Sequence, residues 1–518
     1  VKEGFRIVFS SPPPDFFCVT QVPRVPIKRS ARVRGVQLLL EKRAIIPVPV
    51  HQRGEGVYSI VFLVQKASGD YRLVVDLKRL NAFIPHVGFK ITSLQEILPF
   101  LKKGDFLASF DLENAYLHVG VHVSCQRFLR FCVMGHHYQF QVLPFGLASS
   151  PRVFTKVLAP LVGVLHARGI QLFPYLDDWL ICDSSLFKVQ RHVREVCSCI
   201  QEHGWLINWA KSCLEPTQDL VYIGARLRTD LGVVFLSPAR QEKLLIEVVA
   251  LMSTRLPTVR HCLKVQGLMS SVLLILPWAR LHMYPLVNHL LRHWDPVSRN
   301  FECRVAMSQE VLLSLEWWRD RRNLSRGNPF HVIPTRIVTT DASKLGWGAT
   351  LLGLSVQGEW SAQDALHSSN WRELAAVLCA LRAFSSLLLF QDVQVRTDNR
   401  VTMSYVNHQG GCRFPPLAQL AQEIGEWAEL HVRSLSAVYL PGPENVVADR
   451  LSRVFPPMSS LSLTVAVFNQ LQVMFGCPLV DLFASPENAH LPLFCTMGPC
   501  PSAWRVNACG TIHETGPP

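Results

Sequence analysis

Two adjacent carboxylates, Asp177 and Asp178, interrupt an otherwise apolar stretch, with IQLFPYL before the Asp pair and WLICD running on after it. Two strand-like runs that meet at charged residues read as a β-hairpin carrying its acids at the tip. A two-residue hairpin loop favours Asn-Gly or Asp-Gly, yet bulky Leu176 and Trp179 flank this pair. Neighbouring like charges repel, and a divalent cation held by oxygen ligands neutralises them directly. Asp is also a common turn residue. The tetrapeptide YLDD alone therefore leaves a plain turn and a metal site both open.

At 518 residues the chain has room for about three or four domains. A hydrophobic share of 49% and a charged share of 18% indicate packed cores, not disorder. Lys and Arg exceed Asp and Glu by 52 to 39. That balance suits a polyanionic partner, nucleic acid first and an anionic membrane surface second, against a basic surface with no partner. The charge is uneven: residues 1–43 hold nine Lys or Arg against three acids, whereas 454–518 hold one against three. The 15 Cys are scattered singly through apolar segments, the pattern of reduced thiols in an intracellular protein. No apolar run is long enough to span a bilayer and no signal peptide is visible, so neither membrane nor secretion is expected. Val1 in place of Met is read as the mark of a fragment or of a piece of a longer polyprotein.

Periodicity predicts a Pro-rich basic start ending in a helix around VRGVQLLLEKRAI, then strands YSIVFLVQ and YRLVV joined by KASGD. A helix is expected over 92–104, with Thr92 or Ser93 as N-cap. A strand ends at Asp111, helices cover 150–169 and run from the hairpin to about His203, and WLINWAKSCL and LVYIGARL read as strands. Helical periodicity dominates 238–325. From about Pro334, TRIVTTDAS, GWGATLL and GEWS read as strands, followed by the helix NWRELAAVLCALRAF, the strand VQVRTDN, a helix, the strand HVRSLSAVYL and the helix ENVVADRLSR. Strands with intervening helices make a mixed α/β unit of about 120 residues.

Asp111 precedes Asp177 by 66 residues. Carboxylates converging from neighbouring strand ends can hold two metal ions about 4 Å apart, the arrangement that serves phosphoryl transfer. Lys66 and Arg72 flank the KASGD turn as phosphate clamps or as ordinary solvated charges. Tyr116 follows Asp111 as a pocket wall or as a core aromatic. Further on, Asp341, Glu373, Asp398 and Asp449 fall on elements of the α/β unit. Each has a local alternative: Asn370 with Glu373 as a capping box, Asp398 as a helix cap, Asp449 on a solvated face. Together they resemble a two-metal nuclease set.

The ordered segments LVQKASGDYRLVVDLKRLN, SFDLENAY, LPFGLASSP, YLDD, WAKS and YIGA resemble the motifs of reverse transcriptases. The resemblance implies a right-hand α+β polymerase in which Asp111 and Asp177 bind catalytic Mg²⁺, with Mn²⁺ as a substitute, and Asp178 supports them. It implies that Lys66, Arg72 and Lys211 contact the incoming nucleotide or primer-template, and that Tyr116 excludes the 2′-hydroxyl and so selects dNTPs. Phe145 stands in the pocket segment where retroviral enzymes usually carry Gln. Residues 335–455 resemble RNase H, which implies Asp341, Glu373, Asp398 and Asp449 as metal ligands. Tyr439 replaces the His that many relatives place before Pro-Gly, which removes a proton shuttle or product-release aid but leaves the metal core intact, so RNase H activity is expected, with its rate left open. YSIVFLVQK, RFLRF, YLDDWLI and VDLFASPENAHLPLF look most like DIRS-type, tyrosine-recombinase retrotransposons.

The expected organisation is a basic extension (1–56), fingers and palm (57–235), a helical thumb or connection (236–333), an RNase H-like domain (334–455) and a partly disordered tail (456–518). The expected partners are RNA template, DNA primer, RNA–DNA hybrid, dNTPs and other retroelement proteins. The rivals are an RNA-dependent RNA polymerase and a decayed copy that only binds nucleic acid. Cys495, Cys500, Cys509 and His513 match no zinc-binding spacing, and no zinc site is assigned.

Overall fold

The apolar runs around YLDD form the expected antiparallel hairpin, one half of a four-stranded sheet. The structure is a computed structural model that describes residues 3–21, 25–65, 69, 71–455 and 463–495 except 483, 485 and 487. It divides into two units, Val1–Val332 and Ile333–Pro518.

In the first unit, strand β1 (Phe106–Asp111) is followed by helix α1 (Ser150–Ala167), strands β2 (Leu172–Tyr175) and β3 (Asp178–Asp183), helix α2 (Leu186–Glu202) and strand β4 (Cys213–Thr217). The sheet order is β2-β3-β1-β4, antiparallel throughout. Alternate side chains of a strand point to opposite faces, and here both faces are covered. Trp179 and Ile181 enter a core shared with Val153, Phe154 and Leu158 of α1 and Val189, Val193 and Val196 of α2. Leu180 and Cys182 enter a second core with Leu244 and Val248 of the helix Pro238–Met252 and with Trp318. This two-sided burial explains why β3 reads as a continuous apolar run. Further helices at Val259–Ser270, Tyr284–His293 and Gln309–Arg319 complete the second core.

Three local expectations change in the first unit. The helix expected over 92–104 is one α-turn, Leu94–Ile97, and a 3₁₀ turn, Leu98–Phe100; Ser93 and Glu96 form its capping box, and Pro99 breaks the ladder by lacking an N–H. WLINWAKSCL is mostly irregular, its strand beginning only at Cys213. LVYIGARL is a hairpin, Asp219–Tyr222 against Ala225–Arg228, because Ile223 and Gly224 both take positive φ. The basic N-terminal segment also packs: Ile7 and Val36 are buried in the first core, and the helix Pro26–Glu41 packs on the strand Tyr71–Val75.

The second unit starts with β5 (Arg336–Ala342), β6 (Gly346–Leu351) and β7 (Leu354–Glu359). There follow α3 (Ser369–Ala383), β8 (Asp392–Thr397), α4 (Arg400–Asn407), α5 (Pro415–His431), β9 (Ser434–Tyr439) and α6 (Val446–Arg453). Sheet order is β7-β6-β5-β8-β9, with β5, β8 and β9 parallel. The third strand starts at Leu354, earlier than GEWS indicated, as the partner of β6. Helix α6 lies directly on β6, for a Cβ at Gly348 would sit 2.7 Å from the Ala448 carbonyl oxygen. Beyond it, a helix Val465–Phe475 and a short parallel pair, Asp481–Leu482 with Phe494–Cys495, are described. Cys500, Cys509 and His513, with the rest of the last 23 residues, lie outside the described residues. Among the described residues no helix is long and apolar enough to cross a membrane.

Trp179 is fully buried and its indole N–H donates to the Leu176 carbonyl at 3.0 Å. Trp179→Ala should therefore destabilise the first unit by about 3–5 kcal/mol, read as a lower urea midpoint.

Candidate active sites

The first acidic cluster is built by pairing at strand ends. Asp111 closes β1 directly opposite Asp178 at the start of β3. Tyr175 pairs with Asp178, leaving Leu176 and Asp177 as a two-residue loop. Leu176 takes φ 53°, a conformation that costs a bulky residue energy and persists only where surroundings fix it. The Trp179 indole bond to its carbonyl is one such constraint. A second is the Leu112 N–H, which donates to the Asp177 carbonyl at 2.8 Å. The Tyr222 hydroxyl reaches the Asp178 carbonyl at 2.9 Å, and the Asp111 N–H donates to Ser212 Oγ at 3.0 Å.

The side chains are electrostatically crowded. Burial, then the charges of Asp177 and Asp111, push the Asp178 carboxyl up to about 6. Asp177 is raised chiefly by burial, with Asp111 adding repulsion and a backbone amide, Lys211 and Arg72 opposing it. Lys211 Nζ lies 3.7 Å from Asp111 Oδ2. Asp111, Asp177, Arg72, Phe145 and Lys211 line a cavity of about 450 Å³; Asp178 does not. Tyr116 stands beside it, its ring 5.0 Å from Phe145 and edge-on to Phe154 at 5.4 Å. Burial and the Asp177 charge push its hydroxyl up to about 12. Lys66 lies outside the described residues.

The second cluster follows from parallel pairing. Because β5 and β8 run side by side in parallel, Asp341 and Asp398 emerge at the same C-terminal end of the two strands, and Glu373 reaches them from α3. One ligand atom from each lies within 4.8 Å of the others, the single such acidic group among the described residues. Burial, then Asp341 and Asp398, push Glu373 up to about 9, and its Oε2 has no hydrogen-bond partner. Asp341 and Asp398 are also raised, mainly by burial. Ser452 Oγ donates to Asp341 Oδ2 at 2.7 Å. A buried carboxylate oxygen without a donor, such as Glu373 Oε2, is costly, and three converging carboxylates form a set suited to a hard divalent cation.

Asp449 does not join this group. Its carboxylate is 2.6 Å from Arg453, one helical turn on, and 42% exposed. The local alternatives resolve as well: Ser368, not Asn370, caps α3, and Asn399, not Asp398, caps α4. Tyr439 ends β9 opposite Thr397, with the Arg400 guanidinium 4.8 Å over its ring.

Several participants carry no sequence signal. Leu38, Leu39 and Lys42, from the end of the N-terminal helix, line the first cavity with Glu113 and Asn114. Ser212 was adjacent to the WAKS lysine, but nothing local marks its bond to Asp111. Ser452 and Arg453 were visible only as neighbours of Asp449.

Residues 64–227 match the family described as reverse transcriptase (RNA-dependent DNA polymerase). The chain is 23% identical over 413 residues to the genome polyprotein of Petunia vein clearing virus (isolate Shepherd), covering 76% of this chain and 17% of that protein. It is 21% identical over 446 residues to the enzymatic polyprotein of figwort mosaic virus (strain DxS), covering 83% and 62%. The chain thus spans less than two thirds of the length of either relative. Among solved structures, the foamy viral protease-reverse transcriptase dRH in complex with double-stranded DNA superposes with a TM-score of 0.52 at 16% identity, covering 87% of this chain and 75% of that one. The foamy viral protease-reverse transcriptase in complex with RNA/DNA hybrid gives 0.51 at 15% identity, covering 88% and 60%. The fold is the one shared with these protease-reverse transcriptase structures, and residues 64–227 match a reverse transcriptase domain in a chain whose relatives are viral polyproteins.

Proposed function

We propose that the protein is an RNA- and DNA-directed DNA polymerase with an attached ribonuclease H, acting on RNA template, DNA primer, RNA–DNA hybrid and dNTPs. The observation that carries this reading is the pairing of Asp111 with the YLDD hairpin beside a cavity that also presents Arg72, Lys211 and an aromatic wall. The net basic charge and the nucleic acid in the foamy viral complexes support a nucleic-acid partner.

In this reading Asp111 and Asp177 hold Mg²⁺ and Asp178, set back from the cavity, supports them. The bound cations would activate the primer 3′-hydroxyl and offset charge on the departing pyrophosphate. Arg72 and Lys211 supply cations to the triphosphate, as would Lys66. Tyr116, wedged between Phe145 and Phe154, has little room to yield to a ribose 2′-hydroxyl. Asp341, Glu373 and Asp398 form the nuclease metal set, and Asp449 joins it when Arg453 releases its carboxylate. Residues 57–235 would be fingers and palm, 236–333 thumb or connection and 334–455 the nuclease, in an element of DIRS type.

Asp177→Asn should lower primer extension at least about 10³-fold while leaving cleavage of RNA in a hybrid intact; retained extension would contradict the palm assignment. Tyr116→Ala should admit ribonucleotides at least about tenfold better relative to dNTPs, measured as a ratio of kcat/KM. Glu373 gives a metal-free prediction. Its carboxyl holds a proton in the folded state up to about 9, whereas the unfolded chain releases it near pH 4.3. Folded protein therefore binds more protons between those values, and stability must fall as pH rises through that window. In EDTA, Glu373→Gln should remove part of that loss and raise the midpoint of the second unit at pH 8 by about 2–4 °C, the shift that ~1 kcal/mol gives a domain of this size. Excess Mg²⁺ should reverse the ranking.

A further inference from the structure

The helix Pro26–Glu41 ends at Lys42, whose backbone N–H bonds to the Leu38 carbonyl. From that helix end the Lys42 side chain reaches the turn that follows Asp111. Its ammonium donates to Asn114 Oδ1 at 2.9 Å and lies 3.6 Å from Glu113 Oε1. The Asn114 amide closes the triangle by donating to Glu113 Oε1 at 2.8 Å. Asn114 takes φ 55° and ψ 29°, the left-handed region that Asn tolerates better than most residues. Its backbone carbonyl accepts the Leu117 N–H at 2.7 Å, and the Glu113 N–H donates to the Leu206 carbonyl at 2.8 Å. The turn between Asp111 and Tyr116 is thus held on one side by backbone and on the other by Lys42.

Magnitudes separate the two Lys42 contacts. Glu113 is 45% exposed and 3.6 Å away, so that ion pair is worth little. The bond to Asn114 is charge-assisted at 2.9 Å, with the Lys42 side chain 30% exposed, and such bonds are roughly twice as strong as neutral ones. The hold on the turn comes from Asn114.

We propose that Lys42 is a positioning residue of the nucleotide site: by pinning Asn114 it fixes where Tyr116 stands and so sets the discrimination between deoxyribo- and ribonucleoside triphosphates. The proposal rests on the polymerase reading above and extends it to a residue 72 positions away from the turn it governs. The chain reaches this contact only because the N-terminal helix packs on Tyr71–Val75 and lines the cavity with Leu38 and Leu39.

Single-nucleotide primer extension by the full chain, with a dNTP and its matching rNTP, tests it in wild type, Lys42→Met, Lys42→Arg, Asn114→Gly and the Lys42→Met/Asn114→Gly double variant. Lys42→Met should raise KM for the dNTP about tenfold, the scale of a lost hydrogen bond to a charged group, with kcat within about threefold. The preference for dNTP over rNTP should fall about fivefold or more, and Lys42→Arg should retain it. Asn114→Gly keeps the left-handed turn accessible, so it should reproduce the Lys42→Met effect without unfolding. The double variant should be no worse than either single one, because both remove the same contact. An unchanged sugar preference in Lys42→Met, or additive losses in the double variant, would overturn the proposal while leaving the polymerase reading in place. A wild-type protein that fails to extend a primer would remove that reading, and the role of Lys42 with it.

Discussion

Carboxylates forced together out of water repel one another, and both acidic clusters of this protein are arranged to keep them together regardless. In the first unit burial, then the neighbouring acids, raise Asp178 to about 6, and in the second they raise Glu373 to about 9. Such shifts mean that the folded chain without a cation carries acids it does not comfortably ionise. The backbone supplies the restraint. Leu176 is held in a left-handed conformation by the Trp179 indole, Asp177 by Leu112, Asp178 by Tyr222 and Asp111 by Ser212. None of these restraining groups is charged; Lys211 and Arg72 offset part of the electrostatic tension and leave the rest for a bound cation to relieve.

The two clusters answer the constraint differently. Around YLDD the acids stand on adjacent antiparallel strands, and Lys211 partly offsets Asp111. In the second unit the two strands that carry Asp341 and lead to Asp398 are parallel, the acids converge more tightly, and Glu373 Oε2 is left without a donor. Arg453 meanwhile holds Asp449 aside. The second site is therefore the more strained of the two without a cation, and the more dependent on one.

The parts legible in the sequence were those that local pattern dictates. YLDD could be read as a hairpin because β3 is covered on both faces and so is apolar without interruption. The strand ends at Asp111, Asp341 and Asp398 were readable for a similar reason. Contacts that topology makes were not readable. Lys42 meets Asn114, Ser212 meets Asp111 and Ser452 meets Asp341 across 72, 101 and 111 residues of chain. Single residues also defeated periodicity: Pro99 cut a helix short, and positive φ at Ile223 and Gly224 turned one expected strand into two. Asp449 was correctly placed on a helix, yet an ion pair one turn along decides where its carboxylate points.

The central proposal is that the YLDD cluster works as a cation-dependent polymerase centre, and primer extension by the wild-type chain on poly(rA)·oligo(dT) tests it most directly. With Mg²⁺ and dTTP the primer should lengthen, and EDTA should stop it. Tight binding of the hybrid with no lengthening under Mg²⁺ or Mn²⁺ would contradict the account and leave a protein that only holds nucleic acid.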